Sequence, residues 1–432
     1  MKNKFLFKSL VLLGLIANAQ ASETYTVDEL ILISLKNAPE LKISELNYEA
    51  AQQEHKISNA NYLPKVDMQA AVSKIGSSSI VDNNTMRDDT LLMGTLSLKQ
   101  IVYDFGKTGS TSDFTKYESQ GAAFSNIQKI ADKKREVKEA YYNVLKAKSL
   151  ISVQRENVKL TQAQLYRAQQ YFKAGIRTKI DISDAKVALI RSQIDLKNAQ
   201  YNLKLAYALL DKAVGFVSLD TDYKVYATKL NLNTLTNHVK SYDLNLKDSI
   251  EFAYINKPII KEYETKIKSK KALTEVNSAE YYPALFLDAG YTKQKLDKYQ
   301  LLRPEDQWQV GINLSWNLYE GGASSAKVQK SKINASSSNF ALRELKLQVK
   351  KQVTFDYLNL NRKKDTLALS QSLMVVSAQK FDQAGKRYEH GLSDYIELQQ
   401  ARQGYIDAKA LLIVDYYNYY IAIANLDNAI GR

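Results

Sequence analysis

The stretch Gln307-Trp-Gln-Val-Gly-Ile-Asn-Leu-Ser-Trp-Asn-Leu318 decides the fold, because its side chains alternate strictly between polar and apolar. A period of two is typical of a β-strand with one apolar face. Trp308 and Trp316, the only tryptophans, lie eight residues apart on that face. Eight strand residues extend roughly 27 Å, or roughly 20 Å along a membrane normal once the strand tilts. That separation suits the two aromatic girdles of a lipid-facing band. We therefore prefer a lipid-facing strand to the half-buried strand of a soluble sandwich.

Two earlier segments alternate in the same way, although more weakly: Leu92, Gly94, Leu96 and Leu98 in one, and Val66, Met68, Ala70 and Val72 in the other. An open sheet cannot sit in hydrocarbon, because its edge groups would lack hydrogen-bond partners. Four strands cannot close into a barrel, since known barrels start at about eight. The chain is therefore expected to oligomerise, with the polar segments 76–89 and 294–306 as outward-pointing hairpin loops.

The sequence around these strands occurs twice. Ala60-Asn-Tyr-Leu-Pro64 returns 219 residues later as Ala279-Glu-Tyr-Tyr-Pro283, and Tyr103-Asp-Phe-Gly106 returns 216 residues later as Tyr319-Glu-Gly-Gly322. The second offset also pairs Gly175 with Gly391, Ala185 with Ala401, Tyr201 with Tyr417, Leu210 with Leu426 and Gly215 with Gly431. Matches over so long a range indicate an internal duplication.

Each repeat is predicted to contain a helical segment, a strand hairpin, a very long helix and a return helix. In the first repeat, 22–215, these elements are 27–62, 65–103, 107–173 and 182–214. In the second repeat, 247–432, they are 247–281, 284–319, 323–389 and 395–430. The individual strands are expected at 65–75, 90–103, 284–293 and 307–319. A helix of some 65 residues would reach roughly 100 Å, a length that favours a coiled-coil-like tube.

The remaining segments and the composition narrow the class of protein. Residues 1–21 have the pattern of a secretory signal peptide, which places the start of the mature chain at Ser22. Residues 216–246 are interpreted as a side insertion in which Val217, Leu219, Tyr223 and Val225 indicate a short strand. The chain contains no cysteine, which excludes disulfides and thiolate metal sites. Its basic excess is spread along helical stretches, and export argues against nucleic acid as a partner.

The sequence resembles the TolC-like outer-membrane factors of Gram-negative bacteria over essentially the whole mature chain. The resemblance rests on the duplicated Ala-x-x-x-Pro, on Tyr103-Asp-Phe-Gly106, and on Phe172-Lys-Ala-Gly-Ile-Arg-Thr-Lys-Ile-Asp181. It implies a mixed α and β membrane protein that forms a homotrimer. Four strands from each chain would build a twelve-stranded outer-membrane β-barrel, continuous with a long periplasmic α-helical barrel. The implied partners are a periplasmic adaptor (membrane fusion) protein, an inner-membrane RND or ABC transporter and outer-membrane lipid.

The turns at Gly175 and Gly391 are predicted to form the periplasmic tips, with Ile176 and Leu392 as further adaptor-contacting residues. A capping box is expected after each turn, Thr178-x-x-Asp181 and Asp394-x-x-Glu397, which gives both acids a structural alternative. In the family, an arginine and two acids after the tip glycine narrow the entrance. Resemblance therefore makes Arg177, Asp181, Asp184 and Glu397 candidates for the periplasmic gate. The family's fuller set lies in the second repeat, whereas Gln400 is neutral here.

No catalytic residue, cofactor or metal site is expected, because the three histidines, His55, His238 and His390, are far apart and lack cysteine partners. Three functions stay open. The first is a passive duct for efflux of drugs and other small toxic compounds, driven by an inner-membrane pump. The second is the exit duct of a type I protein secretion system. The third, of a different class, is a non-conducting, periplasm-spanning coiled-coil scaffold, which leaves the strand between Trp308 and Trp316 unexplained.

Overall fold

The computed structural model describes residues 24–78, 86–216, 223–227, 231–232, 235, 239, 242–297 and 305–432. The segment interpreted as a signal peptide, 1–21, lies outside them, as do Val217 and Leu219 of the insertion. The first half contains β1 (Thr24–Tyr25), α1 (Val27–Asn37), α2 (Pro39–Asn59), β2 (Lys65–Ser78), β3 (Met86–Tyr103), α3 (Lys107–Lys173) and α4 (Lys179–Val214). After β4 (Lys224–Val225), the second half contains α5 (Leu246–Asn256), α6 (Pro258–Ala279), β5 (Ala284–Leu296), β6 (Asp306–Ser315), α7 (Ala323–Glu389) and α8 (Tyr395–Ile430).

The two long helices predicted at 107–173 and 323–389 are confirmed. Both α3 and α7 contain 67 residues, and both return helices, α4 and α8, contain 36. A helix of that length extends about 100 Å. The return helix α4 begins at Lys179, three residues before the predicted start at 182.

The segments predicted at 27–62 and 247–281 are helical, but each is broken into two helices, which was not predicted. Pro39 and Pro258 take the first position of α2 and α6. Proline is tolerated there because the first amide has no partner within a helix. The preceding residue is driven out of the helical region, and Ala38 and Lys257 are indeed extended, with ψ of 116° and 121°.

Four strands form one antiparallel sheet in the order β2-β3-β5-β6. Met68 lies opposite Leu96, Leu96 opposite Tyr291, and Tyr291 opposite Trp308. Since directly paired residues point to the same side, this register row places an apolar or aromatic residue of each of the four strands on one face. The alternation expected from the sequence is confirmed, and Met68 and Trp308 are 80% and 76% exposed in the single chain.

The last strand is shorter than predicted: β6 ends at Ser315, not at residue 319. Its pairing with β5 also ends there, because Ser315 lies opposite Ala284, the first residue of β5. Trp316 therefore lies beyond the strand, where its indole N–H donates to the carbonyl of Tyr281 at 3.1 Å.

The helices form a layer. In the half nearer Gly175 and Gly391, α4 packs on α3, α3 on α8, and α8 on α7. In the half nearer the sheet, α2 packs on α3, α3 on α6, and α6 on α7. The apolar core lies where the short helices α1, α5 and α6 and the insertion pack on this layer. It is centred on Leu30, Val144 and Leu210 in the first half of the chain, and on Ile260, Val353 and Leu426 in the second half. In the insertion, β4 pairs in parallel with β1. Among the described residues, no helix combines the length and the apolar character needed to cross a membrane.

Candidate functional site

Both helix hairpins end in the same glycine-centred turn. Gly175 and Gly391 have φ of +72° and +73°, a left-handed conformation that glycine adopts without steric cost. The next amides, those of Ile176 and Leu392, donate to carbonyls five residues back at 2.9 and 2.8 Å. This is the Schellman pattern of a helix C-terminus. In that motif the apolar residue after the glycine usually packs back on its helix, yet Ile176 and Leu392 are 63% and 69% exposed.

Arg177 joins the two tips of one chain. Its Nη2 donates to the carbonyl oxygen of Ser393 at 2.7 Å, and its guanidinium lies 4.8 Å from the centre of the Tyr388 ring. A hydrogen bond from a charged donor is stronger than one between neutral groups. The Nε of Arg177 is buried and has no hydrogen-bond partner among the residues that the structure describes. Arg177 therefore links the two helix hairpins of one chain through a backbone carbonyl of the second hairpin.

The capping boxes predicted at the tips are mostly absent. Thr178 is the N-cap of α4, but its side chain makes no cap hydrogen bond, so the first box was a wrong prediction. Asp394 does cap α8, since its Oδ1 accepts the backbone N–H of Glu397 at 2.8 Å. The Glu397 carboxylate does not complete that box, because it pairs with the Nε of Arg387 at 3.1 Å. Arg387 also donates to the carbonyl of Leu392 at 3.2 Å, so Glu397 belongs to a brace of its own hairpin.

Asp181 and Asp184 lie half-buried on α4 and face two tyrosines of the other hairpin. Tyr388 and Tyr395 are each only 2% exposed, and neither hydroxyl has a hydrogen-bond partner within the described part of the chain. Burial, together with the negative charges of Asp184 and Asp181, raises the pKa of Tyr395 to about 12 against the opposing positive charge of Arg402. Burial, followed by the charge of Asp181, also raises the pKa of Tyr388. The two predicted gate acids thus lie beside the buried contact between the hairpins.

Further from the tip, Arg402 of α8 holds α3 through one hydrogen bond. Its Nη1 donates to the Oδ1 of Asn157, and both residues are almost fully buried, at 3% and 1% exposure. Within the part of the chain that the structure describes, no carboxylate oxygen lies within 4 Å of Arg402. Burial without a paired acid lowers the pKa of Arg402, because the charged form loses its hydration.

Sequence reasoning brought forward Arg177, Asp181 and Asp184 but missed Arg387, Tyr388, Tyr395 and Arg402. One signal was present. Tyr388 and Tyr395 lie three residues before and four residues after Gly391, and their rings meet across the turn at 6.1 Å. Arg402 gave no comparable signal, because an arginine in a helix usually lies on a solvated face.

The two tryptophans of the predicted membrane girdle are both exposed in the single chain, but they lie in different settings. Trp308 lies within β6 beside Tyr291, near the hairpin-loop end of the sheet. Trp316 is 53% exposed and lies beyond the other end of β6. The sequence reasoning overlooked several exposed aromatic residues that accompany Trp316 where the strands meet the helices: Tyr62, Tyr103, Phe105, Tyr281, Tyr282 and Tyr319.

The sheet and the helical layer define the architecture of outer-membrane channels. The outer-membrane channel CmeC of Campylobacter jejuni has the same fold, with a TM-score of 0.83 at 16% identity over 96% of this chain and 90% of CmeC. The chain belongs to the outer membrane efflux protein family, whose sequence profile matches residues 30–216 and 250–432.

Two relatives illustrate the family. The outer membrane protein TolC of Escherichia coli is 21% identical over 410 residues, which cover 91% of this chain and 79% of TolC. The toluene efflux pump outer membrane protein TtgC of Pseudomonas putida is 22% identical over 421 residues, which cover 94% of this chain and 82% of TtgC. The chain is therefore an outer-membrane protein, and its relatives are channel proteins rather than enzymes.

Proposed function

We propose that three copies of this chain form a passive duct across the outer membrane and the periplasm. The duct would export drugs and other small toxic compounds, delivered by an inner-membrane RND or ABC transporter through a periplasmic adaptor protein. The observation that carries the proposal is that the single chain leaves both edges of its sheet unpaired and both edges of its helical layer uncovered. The equal lengths of the corresponding helices also support descent of the two halves from one duplicated unit.

The sheet needs other copies to be stable in lipid. Its outer strands, β2 and β6, each have one partner within the chain, so each presents a row of unpaired backbone groups. In hydrocarbon such groups cost several kcal/mol each. Pairing β2 of one copy with β6 of the next is a heterologous contact, which closes a ring when the rotation between copies allows it. Three copies would give the twelve-stranded barrel that the family resemblance implies.

The helical layer has a matching pair of open edges. On α4 the exposed apolar residues Val187, Ile194 and Tyr201 follow one another at seven-residue intervals, and Leu205 continues the stripe. On α7, at the opposite edge of the layer, the exposed residues include Leu369, Leu373 and Val376. Apolar residues at heptad spacing are typical of helices that pack as coiled coils. We infer that α4 of one copy packs against α7 of the next.

We infer that Leu205 and Leu369 lie at similar heights in the layer, which this seam requires. Leu205 lines a groove with Lys146, and the Nζ of Lys146 donates to Asn418 at 3.4 Å. Asn418 lies on α8. One turn away on α8, Asp415 accepts a hydrogen bond from Ser370 of α7 at 2.5 Å. Rotation about the axis of the tube keeps height constant, so Leu205 of one copy would meet Leu369 of the next.

The tip is proposed to be the gate. The link from Arg177 to the Ser393 carbonyl holds the two hairpins of one chain together, and Asp181, Asp184 and Glu397 would each occur three times around the entrance. Rings of like charge attract cations and repel one another. The exposed Ile176 and Leu392, with Gly175 and Gly391, form an apolar end surface for the adaptor. Engagement there would pull the hairpins apart and break the Arg177 link.

Two alternatives remain open to test. An exit duct of a type I protein secretion system would use the same architecture. The chain is similar to TolC and is 20% identical to protein CyaE of Bordetella pertussis, and these matches are compatible with that alternative. A non-conducting scaffold is disfavoured by the apolar face that the register builds across all four strands.

Purified protein in planar lipid bilayers separates these functions. We expect stepwise ion conductance and a complex of three chains by mass in detergent. A deletion strain should become hypersensitive to toxic dyes and detergents while its secreted proteins stay unchanged. Loss of secreted proteins with unchanged drug sensitivity would favour the secretion duct, and the absence of any conductance would favour the scaffold.

A further inference from the structure

Two helix faces in the half of the layer nearer the sheet are left uncovered by the residues that the structure describes. The layer has the order α2-α3-α6-α7 there, so α2 and α7 are its outer helices. On α2, exposed residues recur at intervals of three and four: Ile43, Leu46, Ala50, Gln53 and Ile57. On α7, exposed apolar residues recur at seven-residue intervals: Ile333, Phe340 and Leu347. These spacings are typical of helices that pack as coiled coils.

The two stripes are unusual for a solvated surface. Ile57 on α2 and Phe340 on α7 are 62% and 64% exposed in the single chain. Single exposed apolar side chains are common on proteins, whereas a stripe at helical spacing normally marks the face that a helix buries against a partner. Each of these helices already packs on a neighbour in the layer through another face, so both stripes are available to a further partner.

Contacts across the layer show which residues of α2 and α7 lie at the same height. Neighbouring helices of this half run antiparallel, and each residue advances about 1.5 Å along its helix. Three side-chain contacts carry the height from α2 to α7: His55 with Thr115 at 3.2 Å, Glu118 with Ser269, and Glu280 with Lys327 at 3.2 Å. Thr115 precedes Glu118 by three residues, which leads to Ala272 on α6. Ala272 precedes Glu280 by eight residues, which places His55 at the height of Ala335 on α7.

The same count brings the two stripes into register. Three pairs of residues share a height: Ile57 with Ile333, Ala50 with Phe340, and Ile43 with Leu347. The middle pair sets the smallest side chain of one stripe against the largest of the other, and facing large and small residues fill a core well. Two stripes at opposite edges of one chain therefore match each other residue by residue.

The charges beside the stripes are opposite in sign. Helix α2 carries two lysines and four acids: Glu40, Glu45, Glu49 and Glu54. Against one acid, the segment 327–351 of α7 carries seven bases: Lys327, Lys330, Lys332, Arg343, Lys346, Lys350 and Lys351. Glu49 and Arg343 lie within about 3 Å of the same height, and neither has an ion-pair partner within the described part of the chain.

We propose that α2 of one copy and α7 of the next pack as an antiparallel pair, the sheet-end seam, in which the acids of α2 meet the bases of α7. The path of the chain supports this partner. Helix α2 leads into β2, and β6 leads into α7, so pairing β2 with β6 of the next copy brings α2 beside α7 of that copy. This inference rests on the proposed function, because it requires the copies to close a ring through β2 and β6.

Cross-linking of the full-length protein tests the sheet-end seam. Since the chain contains no cysteine, Ala50→Cys with Phe340→Cys should give dimers and trimers with a short bismaleimide on denaturing gels. Ala50→Cys with Phe355→Cys is the matched control. Phe355 is also an exposed aromatic residue of α7, but it lies about 22 Å further along the helix, so this pair should stay monomeric. Equal linking in the two pairs, or none in the first, would overturn the seam.

The parent protein separates this inference from the proposed function. A complex of three chains that conducts ions, combined with no cross-link between Ala50→Cys and Phe340→Cys, rejects the sheet-end seam alone. A parent that forms no such complex and conducts no ions rejects the duct itself.

Charge reversal tests whether the charges select the partner. Glu49→Lys should raise the rate at which trimers dissociate in detergent at least about twofold, because like charges across an interface repel. Adding Arg343→Glu should restore the parental rate. Glu264→Lys, at an exposed position of α6, is the control and should leave the rate unchanged. If Glu49→Lys dissociates no faster than Glu264→Lys, or if Arg343→Glu does not restore the rate, the proposed charge matching is wrong.

Discussion

A Cβ added to Gly431 would lie 2.9 Å from the Cα of Lys257, so the end of α8 presses on the break between α5 and α6. The same contact occurs in the first half, where a Cβ on Gly215 would lie 3.1 Å from the Cα of Ala38. Each break also supports the last carbonyls of the return helix: Lys257 donates to Ala429 and Ser34 to Ala213, both at 3.0 Å. The proline breaks are therefore the places where the return helices dock.

Gly431→Ala is expected to destabilise the chain by at least about 2 kcal/mol. The φ of Gly431 is +85°, a conformation that costs a residue with a Cβ about 1–2 kcal/mol, and the contact with the Lys257 backbone adds to that. Gly404→Ala is the control, because it lies within α8 with open space around it and should stabilise the helix by about 1 kcal/mol. Unfolding in denaturant, followed by circular dichroism, measures both. Equal midpoints for the two variants would contradict the docking described here.

These proline breaks also show where sequence reasoning succeeded and where it failed. The absence of proline from 107–173 and 323–389, together with apolar residues that recur at intervals of three and four, predicted the two 67-residue helices. The sequence Ala38-Pro39 carried the signal for a break, since proline restricts the residue before it. Helical periodicity continued on both sides, and the break was missed. The contact with Gly215 that fixes the break depends on residues far apart in the chain.

The tip was less predictable for a physical reason. Arg177 could be singled out by its place after Gly175, but its partner is a backbone carbonyl, and every residue offers one. The link exists only because the two hairpins approach each other, and sequence periodicity does not report that approach. Asp181 was also interpreted incompletely from the sequence. Its predicted role in a capping box is absent, because the Thr178 side chain makes no cap hydrogen bond.

A cysteine pair tests the proposed seam between copies. The chain contains no cysteine, so Leu205→Cys with Leu369→Cys gives a clean background for a short bismaleimide cross-linker. Because the contact is heterologous, we expect linked dimers and trimers on denaturing gels and nothing larger. Leu205→Cys with Leu411→Cys is the control, since Leu411 is exposed but lies on α8 inside the layer. A ladder beyond trimers would indicate an open array, and no cross-link in the test pair would reject the seam.

Arg177→Ala is expected to raise single-channel conductance in planar bilayers, because it removes the 2.7 Å hydrogen bond to the Ser393 carbonyl and the contact with Tyr388. The combination with Asp184→Ala should raise conductance further. Arg167→Ala is the matched control: it breaks the ion pair with Glu389 near the same tip, but both side chains there are more than 40% exposed. Exposed pairs contribute little, about 0–1 kcal/mol. Equal conductance in Arg177→Ala and the parent would argue against a latch at this residue.

Asn157→Ala is expected to destabilise the helical layer by about 3 kcal/mol. It leaves the buried guanidinium of Arg402 without the hydrogen bond to the Asn157 side chain, and leaving a buried polar group unsatisfied costs about 1–3 kcal/mol, or more when the group is charged. The double variant Asn157→Leu with Arg402→Met should recover most of that loss, because replacing both partners by apolar groups avoids an unsatisfied charge. Denaturant unfolding of the two variants provides the comparison. A double variant less stable than Asn157→Ala would show that packing, rather than the buried charge, dominates at this site.

Tyr395→Phe tests the buried contact at the tip through its dependence on pH. The folded-state pKa of Tyr395, about 12, lies above the value of about 10 for an unfolded tyrosine. The stability linked to this raised pKa is fully present below pH 10 and is lost as the pH rises towards 12, because the unfolded chain ionises first. At pH 8 the variant should match or slightly exceed the parent in stability, since it deletes a hydroxyl that has no hydrogen-bond partner among the described residues. Between pH 8 and pH 11 the variant should gain about 1.4 kcal/mol on the parent, the equivalent of one pKa unit.

Tyr166→Phe, at an exposed position of α3, is the control and should show no such gain. A difference between Tyr395→Phe and the parent that stays constant from pH 8 to pH 11 would mean that the Tyr395 hydroxyl reaches water, and the contact between the hairpins would then be open rather than buried.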